Sequence, residues 1–73
     1  MRNLGDLEIG KSGIVFSINM PDVKKRRIID LGIIPETQIE ALFTSPSCDP
    51  TAYLVRGSVI AIRSEDAKLI YIL

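Results

Sequence analysis

A chain of 73 residues, 47% hydrophobic and 25% charged, has the composition of a single folded domain with a modest core, which excludes a multidomain enzyme and a disordered tail. Nine basic side chains balance nine acidic ones, so the net charge gives no pointer to nucleic acid or to an anionic membrane. The single cysteine, Cys48, excludes an internal disulfide and favours a reducing compartment.

The opening, Met1 to Gly10, has one Arg and no apolar run, so it is not read as a signal peptide. No stretch approaches the roughly 18 apolar residues of a membrane span. The expectation is therefore a cytoplasmic domain spanning 1–73, with no direct membrane insertion.

Glycines and prolines then divide the chain into short apolar runs. Ile14 to Ile18 is β-branched and aromatic and predicts a first strand. Asp22 follows Pro21 and is expected to cap a helix in which Val23, Ile28 and Leu31 form the apolar face. Gly32 is expected to end that helix in a left-handed conformation. Gln38 to Phe43 alternates, placing Ile39, Ala41 and Phe43 on one face and Gln38 and Glu40 on the other. Ala52 to Val55 predicts a third strand, Arg56-Gly57-Ser58 a tight turn, and Val59 to Ile62 a return strand. Ser64-Glu65-Asp66-Ala67 predicts one helical turn capped by Ser64, with the two acids at its positive end. Leu69 to Leu73 is the last strand. The fold class is thus mainly β, with five short strands, one α-helix inserted after the first, and a helical turn before the last. Closure into a small barrel would protect the edges.

Motifs for chemistry are scarce. Gly5-Asp6-Leu7-Glu8-Ile9-Gly10-Lys11-Ser12 fits the phosphate-loop formula G-x-x-x-x-G-K-[ST]. That mechanism needs a strand before the loop and a helix after it, whose amides face the phosphates. Here Gly13 and a β-branched run follow, and Asp6 and Glu8 put negative charge where phosphates would sit. The segment is read as a surface turn. With no His and one Cys, a zinc site of soft ligands cannot be built, and the carboxylates show no calcium-loop spacing. No cofactor is identified. Without His the usual base near neutral pH is missing, and Cys48 has no partner to activate it. The chain is not read as an enzyme.

The basic run Lys24-Lys25-Arg26-Arg27 lies in the first half of the predicted helix, where cations oppose the helix dipole by about 0.3–1 kcal/mol each when exposed. Helix stability does not account for them. Attraction to an acidic partner surface would, and an ordinary solvated face remains the alternative. These four are the candidate partner-binding residues.

Four segments, in order and at matching spacing, carry a family resemblance. They are Ile29-Asp30-Leu31-Gly32-Ile33-Ile34-Pro35, Ser45-Pro46-Ser47-Cys48-Asp49-Pro50, Ala52-Tyr53-Leu54-Val55-Arg56-Gly57 and Ile60-Ala61-Ile62-Arg63-Ser64-Glu65-Asp66-Ala67. Together with Leu4 to Gly13 they resemble the bacterial ferrous iron transport protein A (FeoA) family over nearly the whole chain. The resemblance implies an SH3-like barrel with an inserted helix. It also implies a cytoplasmic accessory protein of ferrous iron uptake. The implied partner is the cytosolic GTP-binding domain of the membrane transporter of that system. Family members are also described as transition-metal binding, so weak ferrous iron binding is a further expectation, although no matching ligand set is found here. The family pattern usually has Gly at Cys48 and often Gly at Glu36, positions where positive φ is implied, and those two turns are expected to differ locally.

Two other readings compete. One is a regulatory domain like that of iron-dependent repressors, against which stands the lack of a DNA-reading helix pair in 73 residues. The other is direct metal carriage. No nucleic-acid partner is expected, and the state is read as monomer or weak dimer.

Overall fold

The computed structural model describes residues 2–73. A 3-10 turn at Leu4–Asp6 leads into β1 (Ser12–Ile18), followed by α1 (Asp22–Asp30). Three strands come next, β2 (Gln38–Thr44), β3 (Thr51–Val55) and β4 (Ser58–Ile62), then the short α2 (Ser64–Ala67) and β5 (Ile70–Ile72). All ladders are antiparallel, in the order β4-β3-β2-β1-β5. The expected sequence of five strands, one inserted helix and one helical turn is what forms.

Burial alternates along the strands as a half-buried sheet requires. Val15, Ile39, Ala41, Val55, Ile62, Ile70 and Ile72 point into one cluster, which also takes Tyr53, Leu4 and Ile33. Ile39 and Ala41 are fully buried as expected, but Phe43 is 59% exposed. The reason is a register shift in the β2–β3 ladder: Ala41 pairs with Tyr53, whereas Phe43 pairs with Ala52. The extra residue of this bulge turns Phe43 out of the face that Ile39 and Ala41 share. A second irregularity, between Val15 and Ser17 opposite β5, bends β1 as well.

The sheet's two edges, β4 and β5, do not pair with each other; α2 connects them. The β5 edge is covered by the N-terminal segment, through an Asn3–Tyr71 bridge and an Ile72 N–H donated to the Arg2 carbonyl at 2.9 Å. The β5 edge is thus covered by the N-terminal segment rather than by a β4–β5 ladder.

The β3–β4 turn is the tight one predicted. Arg56 and Gly57 have φ of 52° and 81° between the paired Val55 and Ser58. Two successive positive φ values make a type I′ turn, whose twist suits the flanking strands.

α1 begins and ends for identifiable reasons. Pro21, with φ −56°, takes the N-cap position, so the expected cap role of Asp22 is corrected: Asp22 is the first helical residue, and its charge suits the positive helix end. The other end is a Schellman motif. Gly32 has φ +95° and donates its N–H to the Ile29 carbonyl at 2.9 Å, while Ile33 N–H reaches the Ile28 carbonyl at 3.2 Å. Ile28 and Ile33 meet in the core beneath it.

The expected apolar face is narrower than the spacing suggested. Among α1 residues only Ile28 is buried, whereas Val23 is 85% exposed and Leu31 is on the rim. At 100° per residue Val23 lies about 140° around the helix from Ile28, too far to share its contact.

After α1, buried Thr37 holds the loop. Its hydroxyl accepts the Ile34 N–H at 3.2 Å, and its carbonyl accepts Val15 N–H at 2.9 Å. Glu36 and Cys48 have φ of 75° and 68°. The two turns where the resemblance implied glycine thus keep a left-handed backbone with other residues.

The phosphate-loop formula meets no suitable context. Lys11 is followed by β1, not by a helix. The segment is also not wholly a surface turn, because Leu7 is a core residue.

Candidate functional site

Four charges in a row cannot share one face of a helix, because successive residues are about 100° apart. All four side chains of the Lys24–Arg27 run are exposed, and α1 splits them into two pairs. Lys25 and Arg26 line a shallow depression with Asp22, Val23, Ile29 and Asp30. Lys24 and Arg27 line the other side, where α1 faces β4 and α2 across a groove.

That groove has an apolar floor, which includes Met20, Ile28, Leu31 and Ile60. Its rim is charged, with Arg27 from α1, Arg63 at the end of β4, and Glu65 and Asp66 from α2. Lys24 Nζ stands 3.3 Å from Asp66 Oδ1, the one ion pair among the described residues. Half-exposed as it is, this pair between α1 and α2 contributes at most about 1 kcal/mol. Three of the four cations are thus left without an ion pair, and one is used within the fold. Arg63, Glu65 and Asp66 were not read as site residues in the sequence, where the two acids were seen only as suiting the positive end of a helical turn. The signal available was position alone, since the strand–turn junction at Arg63 comes to face α1 only through the tertiary fold.

The loop between β2 and β3 has its own network. Ser45 Oγ accepts Asp49 N–H at 3.2 Å and lies 2.7 Å from the Asp49 carbonyl. Asp49 Oδ1 then accepts the backbone N–H of Ser64 at 2.8 Å. This corrects the expected cap of α2: Arg63 occupies the N-cap position and Ser64 is the first helical residue, so the carboxylate that caps the helix comes from a distant loop. Cys48 is an exposed free thiol at the tip of this loop.

Tyr53 is buried, and its hydroxyl donates to the Leu4 carbonyl at 3.5 Å. Burial pushes its phenol above the ordinary value near 10, opposed by a Thr51 side-chain hydrogen bond and reinforced by the Asp49 charge. Among the described residues no three of Cys, Asp and Glu gather into a cluster that could hold a metal ion. The donor set therefore does not fit the metal site that the resemblance implies. Among the described residues no helix is long and apolar enough to cross a membrane.

Comparison with known proteins places this geometry. The model of the FeoA domain matches residues 2–73. A FeoA-like protein from Clostridium acetobutylicum is 31% identical; the match covers 97% of this chain and 83% of that one, with a TM-score of 0.88. A zinc-complexed FeoA from Stenotrophomonas maltophilia, described as a prokaryotic SH3 domain protein, matches at 22% identity over 100% of this chain and 91% of that one, with a TM-score of 0.88. At 18% identity and a TM-score of 0.87, the match to a manganese-dependent transcriptional repressor covers 99% of this chain but 40% of that one. Among proteins of curated function, none matches the chain in sequence.

Proposed function

Since the chain belongs to the FeoA domain family, we propose that it is an accessory protein of ferrous iron uptake that acts by contact with the GTP-binding domain of the membrane transporter. The observation that carries this reading is the family match over residues 2–73, together with an SH3-like barrel that presents a charged helix. α1 supports it physically. Its exposed cations are not explained by helix stability, and only one of the four is paired within the fold. Exposed charges of this kind steer an oppositely charged partner and set the rate of encounter.

The test is an amide NMR titration with the cytosolic GTP-binding domain of the transporter from the same host. Shifts clustered on Asp22 to Ile34 are the expected result. No shifts at high concentration would remove that domain as the direct partner.

The similarity to a repressor favours one second reading, a regulatory domain that docks onto other parts of a larger protein. Residues 2–73 contain one α-helix longer than a single turn, so a DNA-reading helix pair would have to lie elsewhere. Weak binding of ferrous iron is tested separately by anaerobic calorimetry, where tight stoichiometric heat would support metal carriage despite the dispersed carboxylates.

A further inference from the structure

We propose that the open edge of β4, with the groove between it and α1, takes up an extended acidic segment of a partner protein as a sixth strand. The inference rests on reading the chain as a protein-interaction domain, and it names the kind of segment that binds.

The edge itself is the first observation. Val55 and Ser58 close the type I′ turn as a hydrogen-bonded pair. In an antiparallel ladder such pairs alternate, so Ser58, Ile60 and Ile62 bond to β3, whereas Val59 and Ala61 turn their N–H and C=O groups outward. Neither finds another backbone partner among the described residues. β5, at the opposite edge, is already covered by the N-terminal segment. An uncovered edge of this length is a template for strand addition.

The groove beside the edge is the second observation. Ile28, Leu31 and Ile60 give it an apolar floor suited to alternate side chains of an extended peptide. Its charge decides the occupant. Arg27, Arg63 and Glu65 stand on the rim without an ion pair while Lys24 already holds Asp66, so two unpaired cations outweigh one unpaired carboxylate. An acidic segment complements them. A second copy of this chain would bring the same two cations to the contact.

The probe is a capped eight-residue peptide alternating valine and glutamate, titrated into the isotope-labelled protein, with its valine–lysine counterpart as control. Amide shifts should centre on Val59 to Arg63, and hydrogen exchange at Val59 and Ala61 should slow. The lysine peptide should bind at least about tenfold more weakly, as expected for a charge-selected contact. Ala61→Pro removes one outward donor at an edge where proline is tolerated, and should abolish binding while the remaining amide spectrum is preserved. Arg27→Glu, on the exposed helix face, gives an independent loss of affinity should the proline disturb β4.

Equal binding of the two peptides, or shifts that avoid β4, would overturn the proposal. So would concentration-dependent protection of Val59 and Ala61 in the free protein, because the occupant would then be a second copy. Failure here is separable from failure of the transporter reading. Shifts on Lys25 and Arg26 with the transporter domain, but none with the peptide, would leave that reading standing and remove this one. Peptide binding without any response to the domain would do the reverse.

Discussion

Replacing Gly32 by valine tests how α1 is joined to the barrel. Gly32 holds φ at +95° and places two N–H groups, its own and that of Ile33, onto the last helical carbonyls. A side chain in a left-handed conformation costs roughly 1–2 kcal/mol for an ordinary residue. A β-branched one belongs toward the upper end of the roughly 1–3 kcal/mol typical of such strain. Packing adds little, because a Cβ at this position would lie 3.4 Å from Arg56 Cδ, an ordinary contact. At about 4–8 °C per kcal/mol for a domain of this size, a loss of about 2 kcal/mol lowers Tm by roughly 8–16 °C. Circular-dichroism melts of Gly32→Val, Gly32→Ala and Gly32→Asn should rank with Val lowest and Asn nearest the parent. The same Ala substitution in an Arg56→Ala background isolates the cause. Its cost should persist, because the strain is in the backbone. An unchanged Tm for Gly32→Val would refute the reasoning, as would full rescue by Arg56→Ala.

Three further outcomes follow from other parts of the fold. Asp49→Ala removes the cap on Ser64 N–H and should cost about 1 kcal/mol in urea unfolding, the usual worth of an N-cap, with faster amide exchange at Ser64. Tyr53 sets an alkaline limit. Its raised pKa means that the unfolded chain releases the phenol proton first, so its contribution to stability is fully present below the unfolded value near pH 10 and is lost as pH rises through the folded one. Tyr53→Phe should remove that part of the alkaline loss when urea midpoints are compared across this range. Charge reversal at Arg26 and Arg27 should slow association with the transporter domain and weaken its salt dependence, measured by stopped flow; unaltered kinetics would take α1 out of the contact.

The strands, the helix and the tight turn were legible because each rests on local signals: β-branched runs, Pro21 before the helix, Gly32 after it, and Gly57 in a hairpin. Errors arose where a residue's surroundings are set by distant chain. Phe43 continues the alternation of Ile39 and Ala41, but a bulge against β3 reverses its direction. Ser64 looks like a cap, yet the carboxylate that does the work is fifteen residues earlier at Asp49. Val23 has an apolar side chain at helical spacing, but α1 touches the core only at its last turn. The candidate charges were visible as a run. Their division between two sides of the helix follows from the helical period, but the placing of Arg27 and Arg63 on one groove depends on where β4 lies.

The Asp49 cap also bears on the order in which the chain folds. A helix of four residues is far below the length that holds together alone, since initiating a first turn is strongly unfavourable. α2 therefore has little reason to form until the β2–β3 loop is in place to receive Ser64. The β3–β4 hairpin needs only neighbouring residues and can form early, which would make it the natural seed of the transition state. β5 follows α2 in the chain and pairs with β1, at a sequence separation that makes it slow to recruit. On this view the last event is the docking of the C-terminal strand onto a meander already built. A substitution at Asp49 would then mainly accelerate unfolding and leave the folding rate nearly unchanged.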